Sequence, residues 1–227
     1  MNFTSSLFIS IAIALAGISL GEGLKAFNRG ERTISVRGLA EREVKADLGT
    51  WTIRYVVSGD RLEEVQQRLP VLQKHVTDFL TREGFAADEI SKGSSLVDKE
   101  AREYGDQKGK RFVANAFVSL RTSKVDQLQA AEQKLDELLK LGLVITNTDK
   151  DFHFTQLNNV KPPMLEEATQ NAREAAAGFA KSMKVDVGSL RSASQGVFSI
   201  DNQDGDRSGS SLMKKVRVVT QVEFEIE

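Results

Sequence analysis

The sequence contains no cysteine, three prolines, two histidines and one tryptophan among its 227 residues. Without cysteine there are no disulfides, no thiolate nucleophiles and no Cys-ligated metals. That absence suits an oxidising compartment without requiring one. Charge of neither sign dominates, with 31 basic and 32 acidic residues and a formal net charge of −1. A near-neutral, mixed surface offers no electrostatic reason to bind nucleic acid or anionic lipid.

Residues that carry chemistry are equally sparse. His75 lies beside an apolar helical stripe and His153 lies between Phe152 and Phe154, and packing roles suit both. No His-x-x-x-His or Glu-x-x-His cluster offers a metal site, and no Gly-x-Ser-x-Gly elbow offers a hydrolase nucleophile. Gly105–Arg111 resembles a phosphate loop but is one residue short between its glycines. It also places Arg111 where Ser or Thr must hold magnesium. Asp201–Asp206 suggests calcium, yet no register supplies the acidic positions, the glycine and the distal glutamate of that loop. Both segments read as polar loops. Catalytic, cofactor-binding and metal-ligating residues: none is assigned, and no cofactor is expected. Met164, Met183 and Met213 read as core or surface fillers rather than redox groups.

What is present begins with an uncharged apolar stretch, Phe3–Gly21, followed by a charge-rich body. As a helix this stretch is about 28 Å long, close to the hydrocarbon core of a bilayer. Residues 1–21 are therefore expected to be a transmembrane anchor or a signal segment. The n-region lacks Lys and Arg, which favours a retained anchor. Ala14-Leu15-Ala16 and Ser19-Leu20-Gly21 keep signal cleavage open as the alternative. Lys25, Arg29 and Arg32 on the C-terminal flank argue, taken alone, for a cytoplasmic body. Residues 22–32 read as a linker and residues 33–227 as the folded domain.

Within that domain, alternation marks strands at Thr33–Leu39, Gly49–Ser58, Ile90–Val97 and Arg111–Arg121. Further strands are expected at Leu143–Ile145, Phe152–Leu157, Leu190–Ile200 and Lys214–Ile226. Asp60 reads as the N-cap of a helix reaching Glu83, with a stripe from Leu62 to Leu80 and a kink or break at Pro70. Gly84 closes it. Ser123 and Asp126 suggest a capping box for a helix running to Leu141. Pro162 and Pro163 suit the start of an Ala-rich helix whose stripe passes through Leu165, Ala168, Ala172, Ala175 and Phe179. About seven strands and three helices in this order predict an α+β fold with a largely antiparallel sheet.

The segment Thr33-Ile34-Ser35-Val36-Arg37-Gly38-Leu39-Ala40-Glu41-Arg42-Glu43-Val44-Lys45-Ala46-Asp47-Leu48 resembles the opening of the SIMPL-domain family of bacterial envelope proteins. The Ala-rich helix after Asn158–Pro163 and the Val-rich final strand agree with it. Lys45-Ala46-Asp47 replaces the commoner Pro-Asp step, and Trp51 stands where many relatives carry a small aliphatic residue. These departures are expected of a membrane-anchored subgroup. The resemblance implies an extracytoplasmic α+β domain, against the orientation suggested by the flanking charges. It implies a single-pass inner-membrane protein with its C-terminal domain in the periplasm, or secretion to the periplasm after signal cleavage. It further implies a non-enzymatic, self-assembling protein, a homo-oligomer with an indirect role in envelope or oxidative-stress defence. The open alternatives are a ligand- or client-binding module of unknown small-molecule ligand and, third, an enzyme with a carboxylate-based site. The terminal strand Lys214–Glu227 and the Ala-rich helix are the expected contact surfaces.

Overall fold

The computed structural model describes residues 32–99, 110–203, 205 and 210–226. The expected anchor and most of the linker lie outside the described residues, as do most of the Gly105–Arg111 loop and part of Asp201–Asp206. In chain order the elements are β1 (Thr33–Lys45), β2 (Leu48–Gly59), α1 (Leu62–Arg82), β3 (Ile90–Asp98) and β4 (Phe112–Thr122). They continue with α2 (Val125–Glu132), α3 (Asp136–Lys140), β5 (Val144–His153), α4 (Leu157–Met183), β6 (Val187–Gln195), β7 (Ser199–Asn202) and β8 (Met213–Ile226). Eight strands and four helices among the described residues make an α+β fold, close to the expected count. One sheet has the order β3-β4-β2-β5. In the other, β8 lies between β1 and β6, and β7 also pairs with β8.

The described residues gather into two compact units, one of residues 40–166 and 197–218 and one of residues 32–39, 167–196 and 219–226. The larger unit is built on β2 and β4. Alternation puts Trp51, Ile53, Tyr55 and Val57 on the same face as Leu120, Val118, Ala116 and Ala114, which stand opposite them in antiparallel register. Large residues meet small ones at Tyr55–Ala116 and Val57–Ala114, so the layer closes without crowding. Helix α1 lays Val65, Leu72, Val76, Phe79 and Leu80 into the same core. Each fully buried side chain of this size contributes about 1.5–3 kcal/mol over an exposed one. On the opposite face Phe117 covers Gly93, its partner across the β3–β4 ladder, where an added Cβ would stand 2.6 Å from the ring. That contact explains the large apolar residue on the outer face of β4.

In the smaller unit, α4 packs on the sheet through small residues. Ala168, Ala172, Ala176 and Ala180 recur every fourth position and are 0–2% exposed. Val36, Val222 and Phe224 from β1 and β8 fill the facing side. The alanine ridge brings helix and strand backbones together at Gly38, where a built Cβ would overlap the Ala168 carbonyl oxygen and stand 2.6 Å from the Ala172 nitrogen.

Several boundaries differ from those expected. Arg61, not Asp60, is the N-cap of α1, and the helix continues through Pro70 without a break. Pro70 lies on the exposed side, where water can take the Gln66 carbonyl that loses its intrahelical donor. The Ser123–Asp126 capping box does not form; Lys124 is the N-cap, without a side-chain bond. The helix expected to reach Leu141 is two helices, α2 and α3, and the two short strands around residue 150 are one, β5. Helix α4 starts at Leu157, before its prolines, and Asp47 in the β1–β2 turn holds the two residues that lead into it. Its carboxylate accepts from Thr155 N and Oγ1 at 2.9 and 3.0 Å and from Gln156 N at 3.1 Å. The buried stripe of α4 runs through Ala176 and Ala180 rather than Ala175 and Phe179, and Phe179 is exposed. Finally, β8 is not an edge: it is paired on both sides, and the alanine face of α4 is buried. The backbone edges of the terminal strand and the alanine face of the Ala-rich helix are therefore taken up within the fold, while the outer face of that helix stays exposed.

Candidate functional site

The two histidines stand on different elements. His75 is partly buried on α1, with Nδ1 enclosed and unpartnered, and His153 is exposed at the end of β5, where its carbonyl accepts from Asp47 N at 3.0 Å. His75 keeps to its flank position on the helix, whereas His153 lies on the strand expected of it but points to solvent rather than packing. At the ends of the 100–109 segment Arg111 makes a two-pronged pair with Asp98, both contacts 3.1 Å, and Lys110 pairs with Asp60. Lys110 and Arg111 of the phosphate-loop resemblance are thus held by carboxylates. Asp201 and Asn202 belong to β7, and Asn202 Oδ1 accepts from the buried Lys214 Nζ. Among the described residues no group of three or more His, Asp or Glu is placed to hold a metal ion.

A carboxylate-based site needs an acid whose proton affinity is raised toward neutrality. Glu89 and Glu223 move the other way. Thr122 Oγ1 donates to Glu89 at 2.6 Å and Ala86 N donates at 2.8 Å, and these bonds hold its carboxyl below the ordinary glutamate range. Hydroxyls of Thr33 and Ser192, the latter at 3.0 Å, do the same for Glu223. Neither is poised as a general base.

Besides His75 Nδ1, the larger unit encloses a second polar atom without a partner, the Tyr55 hydroxyl. Tyr55 is 1% exposed, its hydroxyl has no hydrogen-bond partner, and burial pushes its pKa up to about 12. An unmade bond in such a place costs about 1–3 kcal/mol. Tyr55→Phe is therefore expected to raise stability by about 1 kcal/mol, read from the urea midpoint. A fall in the midpoint would show that the hydroxyl makes a bond that the burial pattern hides.

The surface with the most organised polar chemistry belongs to the smaller unit, on the solvent side of β1, β8 and β6. Ser192 donates to Glu223, Ser189 donates to Glu225 at 2.7 Å, and Gln221 Nε2 donates to Ser35 Oγ at 3.2 Å. This hydroxyl–carboxylate ladder fixes strand register and presents acceptors to solvent. At Glu223 the lowered pKa makes the carboxylate a poor base for the serine that donates to it. At its margin β6 has no strand on its outer side among the described residues, and seven successive residues, Ser189–Gln195, are exposed on both faces of the strand. At the end of α4 a depression of about 430 Å³ is lined by Ala177, Lys181, Lys184 and Val187, among others. Sequence reasoning missed the exposure of β6, since its Ser- and Ala-rich pattern reads as an ordinary strand.

No curated protein matches the chain. A family model does: SIMPL, described as a protein of unknown function (DUF541), matches residues 34–224, from the first residues of β1 to Phe224 in the last strand. The match spans both sheets, α4 and the Gly38 contact quoted above, and on that basis the chain belongs to the SIMPL family.

Proposed function

We propose that this protein is a membrane-tethered, extracytoplasmic envelope protein that works by self-association rather than catalysis, with an indirect part in envelope or oxidative-stress defence. The observation that supports self-association is β6. It is an edge strand of nine residues, uncovered on both faces over Ser189–Gln195, with small side chains at Ser189, Ser192, Ala193 and Ser194. An uncovered edge is a template for another strand, and natural proteins leave one only when it is short, charged, distorted or used. Register irregularities between Val187 and Ser192 blunt its first half, so the regular stretch Ser192–Gln195 is the pairing segment. A tether such as Phe3–Gly21 raises the local concentration of copies and favours the pairing. Among the described residues no helix is long and apolar enough to cross a membrane, and the tether lies outside them.

The test is absolute mass by light scattering on the full chain in detergent. A discrete integer multiple of the 25.0 kDa chain is expected, falling to one chain in Ala193→Lys, which puts a charge on the pairing edge. A monomeric parent protein would overturn the proposal.

A further inference from the structure

The last turns of α4 carry two large apolar side chains that the fold leaves in water. Phe179 and Met183 are 59% and 53% exposed, one turn apart on one flank of the buried Ala176 and Ala180. On the other flank Lys181 and Lys184 line the depression at the end of the helix. The helix is closed there by Lys184 in the left-handed region, φ 58°, with Val185 N donating to Ala180 O at 3.1 Å.

This end is also where the chain enters the fold. Ile226 N donates to Arg32 O at 2.9 Å, and Val187, just past the helix terminus, faces Ile226 in the β6–β8 ladder. Two strand spacings put Arg32 about 10 Å from Val187. The run of β1 agrees: Gly38 abuts Ala168, whereas Ile34 and Val36 pack in the cluster of Ala172, Ala175 and Ala176. Going back along β1 toward its start is going forward along α4 toward Met183. The residues between Gly21 and Arg32 span about 40 Å at full extension, so an apolar segment held in a bilayer keeps this end close to it.

We infer that the C-terminal end of α4 rests on the lipid surface, with Phe179 and Met183 in the headgroup region and the Lys181 and Lys184 ammonium groups at the phosphates. Long lysine stems flanking exposed apolar residues suit such an interface. Asp186 and Glu225 share this end. The net charge of the patch is therefore small, apolar contact leads, and zwitterionic lipid is enough. The inference rests on the tethered reading of Phe3–Gly21 proposed above.

The absence of cysteine makes the test direct. The full chain carrying Phe179→Cys or Met183→Cys, labelled with an environment-sensitive fluorophore, is reconstituted into phosphatidylcholine vesicles and followed by flotation. Gln170→Cys, an exposed position on α4 nine residues before Phe179 and within the same unit, is the reference label. Expected is flotation, with emission from positions 179 and 183 shifted to the blue and quenched by spin-labelled lipid, while position 170 stays in water. Flotation with wet labels at 179 and 183, or equal quenching at 170, overturns the inference and leaves the tether standing. Failure to float overturns both. Labels that dry with rising protein-to-lipid ratio and resist lipid quenching would assign the patch to a second copy of the chain instead. Far-UV circular dichroism of each labelled variant confirms the fold.

Discussion

Gly38→Ala is expected to destabilise the protein by about 3 kcal/mol or more, because one methyl group has nowhere to go. Its Cβ would overlap the Ala168 carbonyl oxygen, a backbone atom inside α4, and stand 2.6 Å from the Ala172 nitrogen. A flexible side chain can rotate away from such a clash, but a helix backbone can yield only by lifting off the sheet. Lifting it opens the layer formed by Val36, Ala172, Ala176, Val222 and Phe224. The control is the same substitution at an open position of α4 itself. Gly178 lies within α4 with nothing inside 4 Å of a built Cβ, so Gly178→Ala is expected to stabilise by about 0.5–1 kcal/mol through helix propensity. Opposite shifts of the urea midpoint in the two variants are the expected result. A Gly38→Ala midpoint equal to the parent's would mean that α4 does not sit against β1 at this depth.

Trp51→Ala is expected to cost about 3–5 kcal/mol, the range for emptying a large aromatic site in a core. Trp51 is 1% exposed and meets Phe79 edge-on, with ring centroids 6.5 Å apart and planes at 72°. Its Nε1 donates to Thr148 Oγ1 at 2.7 Å, so one side chain links β2, α1 and β5. Trp51→Phe separates the two contributions. It retains most of the volume, loses the bond, and is expected to cost about 1 kcal/mol for the bond plus a smaller packing loss. Trp51 is the sole tryptophan, so unfolding of the variants is followed by circular dichroism. Equal costs for the two variants would show that the hydrogen bond, not the packing, anchors this position.

Periodicity made some elements legible and was silent on others. The stripe of α1 and the alternation of β2 and β4 are local patterns, and the buried residues Val65, Leu72, Val76, Phe79, Trp51, Ile53 and Val57 follow from them directly. The start of α4 is not local. The two residues that lead into it are held by Asp47, more than a hundred residues earlier, and a reading of the helix alone places the start at its prolines. The outward turn of Phe179 was hidden for a similar reason. Steps of three and four both keep residues on one helix face, and only contact with the sheet selects the four-residue ridge through Ala176 and Ala180. The exposed β6 was illegible because small polar residues form covered and uncovered strands alike.

The position of β8 has a kinetic meaning. The last strand of the chain is the middle of its sheet, and Gln221 meets Ser35 across 186 residues of sequence. Contacts this distant are slow to form, since their ends must find one another before any bonding rewards the closure. During synthesis β1 is made well before β8 and waits without its partner until residues 213–226 follow. The sheet therefore closes late: its central strand is the last of the three to become available, and β1 and β6 stay apart until β8 joins them.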